Sequence, residues 1–239
     1  MSVRIRRVTT TRAGGVSAPP FDTFNLGDHV GDDPAAVAAN RSRLAASIGL
    51  ADDQVVWMNQ VHSAHVEVVD SPRDPRSDGA FEDTDALVTA VTGIALAVVT
   101  ADCVPVLMAD AEAGVVGAAH AGRVGAASGV VLRTLEAMLS LGAHAEDISV
   151  VLGPAVSGTN YEVPQEMADD VEARLPGSRT TSEAGTPALD LRAGIARQLI
   201  EAGVDDIGID PRCTVTDESL FSHRRGSPTG RLASLVLMQ

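Results

Sequence analysis

Three residues that could bind a metal stand in three separate short motifs: His62 in Asn59-Gln60-Val61-His62-Ser63, Cys103 in Thr100-Ala101-Asp102-Cys103, and His120 in Ala119-His120-Ala121-Gly122. Zinc fingers and ribbons carry their ligands in close pairs, whereas positions 62, 103 and 120 are far apart, so a fold must gather them. A site assembled in this way suits catalysis. Three protein ligands leave a tetrahedral zinc one open position, where water is acidified or a substrate oxygen polarised. The same residues allow a metal-free chemistry, with Cys103 as a thiolate nucleophile and His120 as its base on an amide substrate. On residue type alone, a free cysteine is more often a small core hydrophobe and a lone histidine an ordinary hydrogen-bonded side chain. Asp102 reads either as a carboxylate that orients a ligand or takes a proton, or as a turn former at a strand exit.

The elements that must position these residues are legible in outline. A strand is expected over 3–9. The turn-rich stretch from Arg12 to Pro20 follows, and then a helix with Asp33 as N-cap, Pro34 at its first position and Gly49 at its end. From 54 to 119 short β-rich runs dominate: 54–58, 65–69, 85–90, 94–99, 104–108 and 114–119, interrupted at 70–83 by a polar, proline-rich surface loop. Helices are expected near 126–141, 164–174 and 189–202, and strands near 148–152, 212–216 and 233–238. Cys103 and His120 then fall at strand ends, and Cys213 reads as a core residue of the 212–216 strand. His29 and His65 are spare histidines, with His65 on the exposed face of its strand. With no repeat, linker or composition break, residues 1–239 form one α+β domain in which helices cover sheet layers.

Composition removes several functions. A net charge of −14 disfavours a nucleic-acid partner, because phosphate-backbone binding requires accumulated positive charge. All 18 basic residues are Arg, which excludes a Schiff-base or P-loop lysine and leaves arginine to meet any anionic substrate. The longest apolar stretches are strand-sized, far short of the ~20 residues of a membrane span. The start Met1 to Val8 lacks the apolar core of a signal peptide, so the expected location is the reducing cytoplasm, with the two cysteines unpaired. Arg224, Arg225 and Arg231 flank the segment Gly226 to Gly230, either a phosphate pocket or a solvated turn. Asn25-Leu26-Gly27 either binds ligand or makes an Asx turn.

At these residues the chain resembles the YfiH-type laccase-domain family, also called polyphenol-oxidase-like, along nearly its whole length. The matching pieces are Thr11 to Ser17, Asn25-Leu26-Gly27, Asn40-Arg41, Gln60-Val61-His62, Ala101 to Pro105, His120-Ala121-Gly122, Gly153-Pro154, Tyr161-Glu162-Val163 and Thr229-Gly230-Arg231. The resemblance implies an α/β/β/α layered fold with mixed sheets, and zinc held by His62, Cys103 and His120, although two imidazoles and a thiolate also suit copper. It further implies phosphorolysis of purine nucleosides, including methylthioadenosine, and adenosine deamination. Hydrolysis of a miscoupled amino acid from a peptidoglycan precursor is the family's alternative activity. Multicopper oxidase chemistry would need about ten histidines for a blue-copper centre and a three-copper cluster; the chain has six.

One departure stands out. The family continues His-Ala-Gly with Trp-Arg-Gly, whereas this chain reads Arg123-Val124-Gly125, and Ser63 replaces a usual glycine. The displaced guanidinium makes Arg123 and Arg231, with Asn25, the expected substrate contacts, phosphate falling to the arginines. It also motivates a third class of reading, a zinc protein without turnover that serves a partner. The residues do not define an oligomeric state.

Overall fold

The computed structural model describes residues 3–72 and 80–239. The centre of the expected 70–83 loop, residues 73–79, lies outside them. In chain order the main elements are β1 (Ile5–Thr9), α1 (Pro34–Ile48), β2 (Val55–Val56), β3 (Val66–Val68), β4 (Ala86–Thr89), β5 (Ala95–Thr100), β6 (Val104–Asp110) and β7 (Val115–Ala121). There follow α2 (Arg123–Ala127), α3 (Val130–Ser140), β8 (Ile148–Leu152), α4 (Gln165–Arg174), β9 (Arg179–Thr181), β10 (Pro187–Leu189), α5 (Leu191–Glu201), β11 (Asp206–Ile209) and β12 (Leu232–Met238).

Two mixed sheets stack face to face. One runs β1-β12-β5-β2, the other β11-β8-β6-β7-β4-β3, and β9 and β10 form a separate antiparallel pair. The apolar runs of β5, β6 and β7 are nearly continuous because both faces of each strand are covered, and successive side chains point to opposite faces. In β5, Ala95, Ala97 and Val99 pack with Leu44, Ile48 and Trp57 beneath α1, while Leu96 and Val98 face the gap between the sheets. In β6, Leu107 and Ala109 face that gap, while Val104, Val106 and Met108 pack with Val131, Leu135 and Ile195 of the helices beyond. The result is the expected α/β/β/α order of layers. Gly117 permits close approach of α3 to β7, since a Cβ there would lie 2.9 Å from the Met138 sulfur.

The first helix begins and ends as its residues dictate. The Asp33 carboxylate accepts from the Ala35 amide, and Gly49, at φ 80°, closes the last turn. Elsewhere the chain departs from expectation. The 126–141 helix is two helices, parted at Gly129, which takes the left-handed φ of 85° that glycine accommodates without a Cβ clash. The 212–216 strand is absent; Cys213 makes a single bridge to Ala155 and the chain then turns. Arg225 Nη1 accepts no role in a cleft there: it donates to the carbonyls of Thr214 and Asp217, tying the segment into a compact loop. Cys213 is accordingly half-buried rather than a core residue, with the Ser157 amide donating to its sulfur. The short strands β9, β10 and β11 escape sequence reading because three or four residues are too few to show an apolar alternation. No helix among the described residues is long and apolar enough to cross a membrane.

Leu107 is 1% exposed and lies between the two sheets, whereas Val68, on the edge strand β3, is 50% exposed. Leu107→Ala should therefore cost ~2–5 kcal/mol in chemical denaturation, and Val68→Ala less than about 0.5 kcal/mol.

Candidate metal centre and cleft

The centre is built at one end of the inter-sheet gap. In β7, Val116 and Ala118 face the gap, so His120 does too. The pairing of Ala86 with Ala119 and Leu87 with Ala118 places Asp85, just before β4, opposite His120 on the same face. The pair meets: His120 Nδ1 lies 2.8 Å from Asp85 Oδ1, with Asp85 fully buried and His120 3% exposed. A carboxylate at Nδ1 fixes that nitrogen as the donor and leaves the Nε2 lone pair for a metal.

The same carboxylate shapes the loop that carries His62. Asp85 accepts from the amides of Val61, His62 and Ser63, at 3.2, 3.0 and 2.6 Å, and from the Ser63 hydroxyl at 2.8 Å. Folding three consecutive amides around one anion draws His62 into the left-handed region, at φ 61°. The other side of this loop is tied to the opposite sheet. The Gln60 side chain pairs with the Val99 backbone in both directions, its amide donating at 2.8 Å and its oxygen accepting at 2.8 Å.

Cys103 lies on the crossover from β5 to β6, after Asp102 at φ 100°. Backbone strain of this kind persists where surrounding contacts over-determine it. The buried Asp102 carboxylate accepts from Thr214 Oγ1 and Ser222 Oγ, each at 2.6 Å, and from the Arg224 amide at 2.8 Å. Among the described residues, its hydrogen bonds reach none of the three ligand-type side chains. The expectation that Asp102 orients a ligand histidine is thus corrected: Asp85 does so, and Asp102 anchors the 214–224 loop. Asp85 has a sequence signal, a charged residue heading the apolar run Ala86-Leu87-Val88, but only the strand register shows which histidine it meets.

His62, Cys103 and His120 converge. Their ligating atoms all lie within 4.8 Å of one another, and Cys103 Sγ is 3.8 Å from His62 Nε2. Around a tetrahedral zinc with bonds of ~2.3 Å to sulfur and ~2.0–2.1 Å to nitrogen, ligand atoms stand roughly 3.5 Å apart, so the set fits one such ion. Gly122 keeps the space open: a Cβ there would lie 2.6 Å from the His62 ring and 3.0 Å from the Cys103 sulfur. The residues thus form a candidate metal-binding site. Burial pushes the Cys103 thiol up, but the charge and hydrogen bonding of His120 and then His62 outweigh it and bring it down to about 6. Burial opposes a charged His120, yet the Cys103 thiolate and Asp85 raise it to about 9. Both shifts favour the charged form of the pair, thiolate and imidazolium, so a metal bound there would compete with a proton for His120.

A cleft of about 410 Å³ opens over these residues, within the ~300–1,000 Å³ common for small-molecule sites. Arg123, Arg224 and Arg231 line it, together with Tyr161. Arg123 starts α2, where each residue turns about 100°, and it faces Tyr161 while Val124 is exposed to solvent. The Arg224 guanidinium lies 4.5 Å over the Tyr161 ring and donates to the Glu162 carbonyl. Arg231 runs past Gly27, where a Cβ would sit 2.6 Å from its Cγ. Asn25 is fully buried and does not line the cleft. Its side chain accepts from the amides of Gly27 and Arg231 and donates to Asp32, so it sets the Arg231 backbone. His29, expected to be a spare histidine, lines the cleft, as does His223, which no motif in the sequence singles out, whereas the exposed His65 pairs with Glu67 at 3.2 Å outside it.

Comparison with known proteins adds relatives to this geometry. A family model described as multi-copper polyphenol oxidoreductase laccase matches residues 6–239. The chain is 72% identical to a purine nucleoside phosphorylase of Mycobacterium tuberculosis over all of its own length and 94% of that protein. It is 56% identical to one of Corynebacterium glutamicum over 97% of this chain and 94% of that one. Among solved structures, the Bacillus licheniformis hypothetical protein YfiH superimposes with a TM-score of 0.89 at 31% identity, covering 98% of this chain and 93% of that one. YlmD of Geobacillus stearothermophilus gives 0.87 at 34% identity, covering 98% and 92%.

The two buried aspartates should separate in a zinc titration against a competing chelator. Asp85→Asn is expected to weaken zinc affinity about 10–100-fold by disturbing the partner of a ligand histidine. Asp102→Asn should leave it unchanged.

Proposed function

We propose, from the premise that this chain belongs to the multi-copper polyphenol oxidoreductase laccase family, that it is a zinc-dependent purine nucleoside phosphorylase of the cytoplasm. The observation that carries the reading is the meeting, in one cleft, of the His62, Cys103 and His120 set with the guanidinium groups of Arg123, Arg224 and Arg231. The names of the relatives from M. tuberculosis and C. glutamicum support it. Its substrates are inorganic phosphate and a purine nucleoside: adenosine, inosine, guanosine or methylthioadenosine.

In the reaction a phosphate oxygen attacks C1′ of the nucleoside, and the C1′–N9 bond breaks with its electron pair leaving on the base. The base takes up a proton to leave as free purine, and the sugar is released as ribose 1-phosphate, or as 5-methylthioribose 1-phosphate when methylthioadenosine is the substrate. His62, Cys103 and His120 hold zinc, which when bound supplies a Lewis acid that polarises a substrate oxygen. Arg231 and Arg123 bind and orient phosphate by charge-assisted hydrogen bonds, the preorganised positive field a dianion needs. Asp85 keeps His120 and the His62 loop in their ligating arrangement. Adenosine deamination is a second reaction of the same cleft, in which water attacks C6 of adenine and ammonia leaves.

A different reading starts from the convergence of Cys103 with His120: a thiolate nucleophile with His120 as its base, acting on an amide, as in editing of a peptidoglycan precursor. Alkylation separates the two. Iodoacetamide should modify Cys103 rapidly in metal-free protein and slowly once zinc is added; equal rates would favour the nucleophile.

The direct test incubates zinc-analysed protein with adenosine, inosine and methylthioadenosine, with and without phosphate, and identifies products by chromatography. Phosphate-dependent release of free base is expected; its absence from all of them overturns the proposal. His120→Ala should lose both zinc and turnover. Arg231→Ala should retain zinc and raise KM for phosphate by about 10- to 150-fold, the loss of a charge-assisted hydrogen bond of ~1.5–3 kcal/mol.

A further inference from the structure

The alternation that turns His120 and Asp85 into the inter-sheet gap brings Thr100 to the same gap from the opposite sheet. Leu96 and Val98 of β5 face the gap, so Thr100, two residues on, faces it as well. Thr100 is 2% exposed, yet it forms part of the cleft wall beside Ala101, Asp102 and Cys103. Its Oγ1 is buried and has no hydrogen-bond partner among the described residues. Neighbouring buried hydroxyls are paired: Thr10 Oγ1 accepts from the Ala233 amide, Ser234 meets Thr9, and Thr214 and Ser222 both donate to Asp102. A buried hydroxyl without a partner costs stability. Valine has the same shape, suits the strand, and would match the otherwise apolar run from Ala95 to Val99 without that cost.

We propose that Thr100 is a substrate-contacting residue, its hydroxyl hydrogen-bonding a substrate oxygen that lies beside the metal centre. That oxygen belongs either to the ribose or to phosphate. The inference rests on reading the cleft as a phosphorolysis site, and the experiment separates the failure of one from the failure of the other.

Thr100→Val, Thr100→Ser and wild-type protein, each with measured zinc content, are compared in melting temperature, in KM for adenosine and for phosphate, and in equilibrium binding of each by calorimetry. Thr100→Val should keep zinc, melt at or above the wild-type temperature, and raise KM about 3- to 10-fold for one co-substrate, the loss of a neutral hydrogen bond. A rise for adenosine assigns the contact to ribose, and a rise for phosphate to the phosphate. Thr100→Ser keeps the hydroxyl and should stay close to wild type. Wild-type kinetics in a more stable Thr100→Val protein would overturn the proposal, as would equal losses in the Val and Ser variants, because shape would then be what matters. If wild-type protein shows no phosphorolysis, the functional reading fails and the calorimetry decides. Weaker binding by Thr100→Val alone sustains the contact; equal binding, or none by any protein, overturns it.

Discussion

The structure of the centre depends on one buried carboxylate. Asp85 bonds the ring of His120 and three successive amides around His62, so two of the three ligand-type side chains take their orientation from the same anion. Burial alone would push its carboxyl up, but the hydrogen bonds from His120 and Ser63 outweigh this and hold it below the usual carboxylate range. The arrangement is economical in a physical sense: an anion that must be fully paired to exist in an apolar layer finds its pairs in the segments that the site needs to fix. Ser63 fits this role, since its hydroxyl and amide both donate to Asp85, a hydrogen bond that a glycine side chain could not supply.

Around that carboxylate, the two-sheet sandwich acts as a mould. The inter-sheet layer is Leu, Val, Ile and Met along most of its length and turns polar at one end, where Asp85, His120 and Thr100 replace apolar side chains at positions of the same parity. The loops meeting at that end then bring the guanidinium groups. Arg231 and Arg224 come from the segment between Cys213 and β12, and Arg123 from the start of α2. This segment is secured from within by Asp102 and Arg225, whose hydrogen bonds run to the loop rather than to the cleft. Positive charge is thereby concentrated over the centre in a chain whose net charge is −14.

Local features were legible in the sequence, and long-range pairings were not. The His62, Cys103 and His120 motifs, the Asp33 to Gly49 helix and the apolar central strands announce themselves through residue type and spacing over a few positions. The meeting of Asp85 with His120 is a matter of strand register, which no short window contains. Asp102, next to a ligand-type cysteine in sequence, looked outward along the chain for its partners and found them more than a hundred residues away in Thr214 and Ser222. The β-prone Thr214-Val215 turns instead of pairing as a strand, and the Thr214 carbonyl is met by the Arg225 side chain, a long-range partner that propensity cannot anticipate.

The manner in which the His62 loop is fastened has a thermodynamic consequence. Gln60 ties it to β5 of one sheet, Asp85 ties it to β4 of the other, and Cys103 rides the strand crossover between the two sheets. An ion shared by His62, Cys103 and His120 would therefore be a rivet through both layers of the sandwich. Any motion that slides or parts the layers pulls on the ligand set, and by linkage any ligand that prefers the closed arrangement stiffens the whole stack in proportion to its binding free energy. Metal occupancy and the mechanical integrity of the fold would then be one equilibrium seen from two sides.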